Sequence, residues 1–161
     1  MGRSRAPRLL LARSSQPFAS EVNVVTIRDI MRGRETSSVG PDDNVGLAIQ
    51  MMRWAHVRHL PVVRDGEVVG VLSERDVLRL GMELGDRAAR LEPVQRAMTA
   101  PAITIDAEQP LAAAAWLMSG RKLGCLPVMD GGRLAGMVTT TDLIRHQFEE
   151  EAKKEVALGN L

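Results

Sequence analysis

The sequence predicts an α+β fold built twice, as two successive β-α-β-β-α units in one chain. Three observations predict it. The stretch Leu60 to Asp76, LPVVRDGEVVGVLSERD, returns as LPVMDGGRLAGMVTTTD from Leu126 to Asp142, at an ungapped offset of 66 residues. That offset also pairs Pro61 with Pro127, Gly66 with Gly132 and Gly70 with Gly136, and a fixed period marks one supersecondary unit used twice. Within each copy, two short apolar runs flank turn chemistry, Arg64-Asp65-Gly66 or Asp130-Gly131-Gly132, which reads as a hairpin. Upstream of each hairpin, Val45, Ala48, Ile49 and Met52, then Leu111, Ala114, Ala115 and Met118, stand at i, i+3, i+4, i+7, the spacing of an amphipathic helix.

Residues 1–21 carry Arg3, Arg5, Arg8 and Arg13 with no acid before Glu21, and their apolar run, Leu9 to Ala12, is shorter than the roughly 7–15 residues of a secretory signal core. The composition predicts a disordered basic arm. An organelle transit peptide, which the Arg and Ser content fits, and an arm touching nucleic acid rank below that reading.

The first unit is expected over 22–80. Val22 to Ile27 alternates weakly and predicts a strand, leading into a short helix over Arg28 to Met31 and a polar stretch from Arg32 to Ser38. Pro41-Asp42-Asp43 then supplies a helix start. Gly81 to Pro93, with Gly81, Gly85 and alternating charges, interrupts the periodicity and is assigned as the linker, 81–93. The second unit is expected over 94–148, its helix opening after Asp106 and Pro110 and closing at Gly120 as a C′ glycine. The tail, 149–161, pairs Glu149 with Lys153 and Glu150 with Lys154 at i, i+4, which predicts that the last helix continues with a solvated face.

Composition narrows the function classes. At 161 residues and 45% hydrophobic content the chain can bury one core or two small ones, and the repeat decides for two. A net charge of +1 gives no global field for nucleic acid or acidic lipid, and 2% aromatics with no Tyr leaves little for base stacking. Nucleic acid and membrane are therefore not expected as partners. No apolar run approaches the roughly 18 residues of a membrane span. The single cysteine, Cys125, excludes an intrachain disulfide and a cysteine-based zinc set, and it fits a reducing cytoplasm.

Chemistry concentrates where each second hairpin strand gives way to a helix. Ser73 with Asp76, and Thr139 with Asp142, are spaced as a helix N-cap and the acid three residues on. The same hydroxyl and the free N–H groups of the first turn also suit an anion, so the motif can close a helix or hold a phosphate.

Taken together, the runs Leu60-Pro61-Val62 and Leu126-Pro127-Val128, the glycines after them, and the endings Gly70-Val-Leu-Ser-Glu-Arg-Asp76 and Gly136-Met-Val-Thr-Thr-Thr-Asp142 resemble a tandem pair of CBS domains, the family named after cystathionine β-synthase. Asp29-Ile30-Met31 and Ala97-Met98-Thr99 look like the family's lead-in to each domain. The resemblance spans about Val24 to Gln147. It implies two domains packed pseudo-symmetrically through their sheets, with two clefts that bind adenosine-containing ligands such as AMP, ADP, ATP or S-adenosylmethionine. It further implies ribose contacts from Asp76 and Asp142, and phosphate contacts from Ser73 in one copy and from Thr139 and Thr141 in the other.

The copies differ in ways that predict unequal clefts. Arg58 and His59 precede the first LPV where Gly124 and Cys125 precede the second, and Arg75 stands opposite Thr141. Ser37 and Ile103 hold the place that in relatives lies beside the base. Asp142, Thr139, Thr141 and Ile103 make the more complete set, while the first copy answers with charge. If His59 contacts phosphate, binding should tighten as pH falls from about 7.5 to about 6. Plainer roles compete: the aspartates as first-turn acids, Arg58 as a solvated charge, Cys125 as a small buried hydrophobe. His56 and His59 lie three apart without a third metal ligand nearby.

The function expected is a stand-alone module that binds an adenosine ligand and signals occupancy to an as yet unidentified protein partner. The alternative is a ligand-independent dimerisation or scaffold protein. An enzyme ranks third, because no acid/base dyad, activated nucleophile or metal cluster emerges. A cytoplasmic homodimer is expected, since one chain need not cover the apolar helical stripes at both Val45 to Met52 and Leu111 to Met118.

Overall fold

The computed structural model describes residues 24–31 and 36–159. The arm drawn over residues 1–21 lies outside the described residues. In chain order the elements are α1 (Ile27–Ile30), α2 (Val45–Ala55), β1 (His59–Arg64), β2 (Glu67–Ser73), α3 (Glu74–Leu84), α4 (Asp86–Ala89), α5 (Val94–Ala97), β3 (Ile105–Asp106), α6 (Leu111–Arg121), β4 (Cys125–Asp130), β5 (Arg133–Thr139) and α7 (Thr140–Ala157).

Both hairpins form where turn chemistry placed them. Asp65 and Gly66, and Gly131 and Gly132, all take positive φ, the backbone that a two-residue turn needs to match strand twist. Leu60 faces Leu72 and Val62 faces Gly70; in the second copy Leu126 faces Val138 and Val128 faces Gly136. A register shift follows Val62 and recurs after Val128, so even the irregularity repeats.

Each hairpin packs under its own helix. Ala48 and Met52 of α2 meet Leu60, Val62 and Leu72 in one core, while Ala114 and Met118 of α6 meet Leu126, Val128 and Val138 in another. Ala115, which the spacing assigned to the apolar stripe of α6, is exposed.

The lead-in segments do not stay with the repeat they precede. Ile27, fully buried, belongs to the second core, and its N–H donates to the Gln109 carbonyl. Val94 belongs to the first core, and its N–H donates to the Asp43 carbonyl. The two repeats therefore exchange their leading helices.

That exchange explains why Val22 to Ile27 does not form the expected strand. Among the described residues of this stretch, Thr26 makes one isolated bridge to Pro110 and the chain turns at once into α1, because Ile27 is drawn into the second core. The first strand of the unit lies later, at β3 in the second copy, parallel to β4, and in the first copy it shrinks to a single bridge between Val39 and Val62.

Three further expectations shift. Gly120 lies inside α6, and the left-handed cap falls on Lys122 at φ 56°, as it falls on its repeat mate His56 at φ 52°. Gly81 lies inside α3, which ends at Gly85, and the expected linker folds as α4 with Ala89 buried beside Leu80 and Val45. Apolar burial overrides the glycine signal there. Finally, α7 does extend over 18 residues, but in its tail Glu150 pairs with Lys153 at 2.7 Å, one residue closer than the expected i, i+4 pairs. Among the described residues no helix is long and apolar enough to cross a membrane.

Candidate functional site

Ser73 ends β2 and opens α3; Thr139 ends β5 and opens α7. The strand leaves each residue extended, which frees its hydroxyl to accept from the N–H three residues on, at 3.2 Å from Asp76 and 3.3 Å from Asp142. Each aspartate reaches back in return. Asp76 Oδ2 accepts from the Ser73 N–H at 2.9 Å and from its hydroxyl at 2.5 Å, and Asp142 Oδ2 accepts from Thr139 at 2.9 and 2.6 Å. These are reciprocal capping boxes.

The other carboxylate oxygen is also engaged. Asp76 Oδ1 lies 3.3 Å from Arg79, and Asp142 Oδ1 lies 3.4 Å from Arg145. Both aspartates are only 7% exposed, yet their arginines are largely in solvent. The carboxylates are thus buried in place by the caps and held on one side by side chains free to swing away. Arg79 and Arg145 are missing from the sequence-derived site, although they recur at the same offset of 66 that exposed the aspartates.

The caps are brought to a common seam. His59 pairs with Ser73 across the first hairpin, and its repeat mate Cys125 pairs with Thr139 across the second. The Glu74 N–H donates to the Arg58 carbonyl at 3.0 Å, and the Thr140 N–H donates to the Gly124 carbonyl at 3.1 Å. The His59 ring lies beside Gly124: a Cβ there would stand 3.6 Å from its Nε2, in ordinary van der Waals contact.

Electrostatics across the seam follow. Burial lowers the His59 pKa below its ordinary 6.5, and Arg58 adds to this, against the opposing pull of Asp76 and Glu74. Burial pushes the Cys125 thiol up to about 12, with the Asp76 charge contributing, so the cap of one repeat is felt by the strand of the other. An inert buried cysteine is the result.

The structure gathers Ser73, Asp76, Arg58, His59 and Arg75 at the first cap, with both arginines exposed. At the second it gathers Thr139, Asp142 and an exposed Thr141, with no cation at the Gly124 and Cys125 places. The segment beside each cap strand comes from the other repeat's lead. Thr36 Oγ1 lies 3.3 Å from where a Cβ on Gly136 would stand, and Thr99 exchanges backbone hydrogen bonds with Val71 at 2.9 and 3.0 Å. Ser37, next to Thr36, is exposed, whereas Ile103 packs, half-buried, against the second core.

Beside the second cap, a polar groove of about 450 Å³ runs between Val25, Asp29 and Ile30 on one side and Asp142, Arg145 and His146 on the other. No cluster of three His, Cys, Asp or Glu among the described residues is close enough to hold a metal. Chemically, a carboxylate seated at a helix start beside a hydroxyl can accept from vicinal diols, and the first turn can receive an anion.

The CBS domain family model matches residues 27–83 and 94–149. The chain is 31% identical over 125 residues to an uncharacterized protein of Methanocaldococcus jannaschii, covering 70% of this chain but only 30% of that protein. It is 33% identical over 131 residues to a CBS domain-containing protein of Dictyostelium discoideum, covering 74% of this chain and 89% of the relative. The crystal structure of CBSX2 in complex with AMP is similar at a TM-score of 0.66 and 30% identity, covering 78% of this chain and 98% of that one.

Proposed function

The chain belongs to the CBS domain family, and on that footing we propose that it is a regulatory module, not an enzyme, which binds an adenosine-containing ligand and passes its occupancy to a protein partner. AMP, ADP, ATP and S-adenosylmethionine are the candidate ligands. The observation that carries this reading is the twofold recurrence of a nearly buried aspartate, fixed by a hydroxyl at a helix start, with an exposed arginine at its second oxygen. A ribose diol exchanges for the arginine with the cap intact. The similarity to CBSX2, solved with AMP, supports the ligand class.

Asp76 and Asp142 supply the ribose contacts in this reading. Ser73, with Arg58, His59 and Arg75, receives phosphate at the first cap, while Thr139 and Thr141 do so at the second. Ser37 and Ile103 flank the base. The module acts in the cytoplasm as a homodimer. Thermal unfolding with AMP, ATP and S-adenosylmethionine in turn tests the reading, and a rise in midpoint that tracks concentration is expected.

The scaffold alternative has one observation in its favour. Both carboxylates have partners within the chain itself, so the caps are complete without any other group. No shift in midpoint with any of these ligands would establish it over the sensing module.

A further inference from the structure

We infer that Arg145 switches between Asp142 and Glu149: a ribose that takes Asp142 passes the arginine on to Glu149, and of the two caps the second alone has such a receiver. This rests on the adenosine-binding reading above and adds the residue that tunes one cap. Arg145 Nη1 lies 3.4 Å from Asp142 Oδ1, on a side chain half exposed to solvent. Glu149 stands four residues on from Arg145 in α7 and is therefore its neighbour on the helix surface. It is exposed and makes no ion pair among the described residues. With Asp142 and Arg145 it lines the polar groove of about 450 Å³.

The first repeat carries the same three positions without the receiver. Arg79 lies 3.3 Å from Asp76, and Glu83 stands four residues on in α3. Glu83, however, already holds Arg96 of α5 at 3.5 Å, and Glu92 anchors that arginine at 2.9 Å. At the 67-residue offset of the lead-in segments the counterpart of Arg96 is Asp29, which lines the second groove. A carboxylate there cannot pair with Glu149, so this charge reversal leaves Glu149 open to Arg145. A ligand entering the second cap keeps the displaced guanidinium paired. One entering the first cap releases Arg79 beside a carboxylate already in use.

Calorimetric titration of the full chain with AMP tests the switch, using Glu149→Gln, Arg145→Gln and both together, with Glu83→Gln as the first-repeat control. Glu149 is exposed, so the melting midpoint without AMP should not move. At the AMP site that is sensitive to Asp142→Ala, Glu149→Gln should weaken binding about two- to fivefold, the worth of an exposed ion pair. It should no longer weaken binding once Arg145 is replaced, and Glu83→Gln should leave that site unchanged. The sign discriminates, because removing a negative charge near a phosphate-bearing ligand would by simple repulsion tighten binding. Tighter or unchanged binding in Glu149→Gln, or a loss that persists in the Arg145→Gln background, overturns the switch. A wild-type chain that takes up no AMP overturns the adenosine reading, and the switch falls with it.

Discussion

Met98 rests on Gly70. Its Sδ lies 2.7 Å from where a Cβ on that glycine would stand, with the Thr99 carbonyl oxygen at 2.9 Å, and Met31 lies on Gly136 in the same way through its Cε. Neither glycine has positive φ, so each is required by close approach and not by backbone geometry. The exchange of lead-in segments depends on these two missing side chains.

The pair should respond unequally to a methyl group. At Gly70 the added Cβ meets backbone, which cannot step aside, whereas at Gly136 it meets the end of Met31 and the Thr36 hydroxyl at 3.3 Å, both movable. Gly70→Ala is expected to cost about 1–3 kcal/mol as an overpacked site, and Gly136→Ala less. Urea unfolding of the two variants measures the difference.

Ile27 is a second consequence of the exchange. It is fully buried in the second core although it leads the first repeat. Ile27→Ala should cost about 2–5 kcal/mol, and hydrogen exchange should speed up first around β4 and β5. Faster exchange confined to β1 and β2 would refute the crossing.

The caps make separable contributions to folding and binding. Ser73→Ala and Thr139→Ala should each lower stability by about 0.5–2 kcal/mol through loss of the N-cap. Asp142→Ala should weaken adenosine binding by about 1–3 kcal/mol, more than Asp76→Ala does. Arg79→Gln leaves the capping box whole and removes the arginine from Asp76 Oδ1, so it should tighten adenosine binding in calorimetry; weaker binding would show that the arginine holds the ligand instead.

His59 sets an acid limit. Its folded-state pKa lies below the ordinary 6.5, so below that pH the unfolded chain takes up the proton more readily than the folded one. The stability contributed by neutral His59 is intact above pH 6.5 and lost as pH falls through the lowered value. His59→Gln should flatten that part of the acid dependence in a series of urea midpoints, and an unchanged series would remove the role.

Cys125 should resist thiol reagents. With its pKa pushed up to about 12, the thiolate fraction at neutral pH is smaller than that of a free cysteine by roughly a thousandfold. Native protein should therefore react with a disulfide reagent only as fast as it opens, and denatured protein at once.

What the residues alone made legible was everything that one short stretch decides locally. Turn glycines, the short apolar runs beside them and the hydroxyl with its aspartate act within a few residues, so both hairpins, both amphipathic helices and both caps could be placed from the repeat. Arg79 and Arg145 were equally legible, being in register with the aspartates. The tertiary structure alone decided which repeat each lead-in segment serves, because Ile27, Met31, Val94 and Met98 are apolar residues that either core would accept. Met31 and Met98 are offset by 67 residues, one out of step with the ungapped repeat, and that hid their equivalence as lids on Gly136 and Gly70. It also decided that His59 lies beside Gly124 and that Cys125 is buried, since burial and the field of Asp76 arise only when residues far apart in the chain share one low-dielectric space.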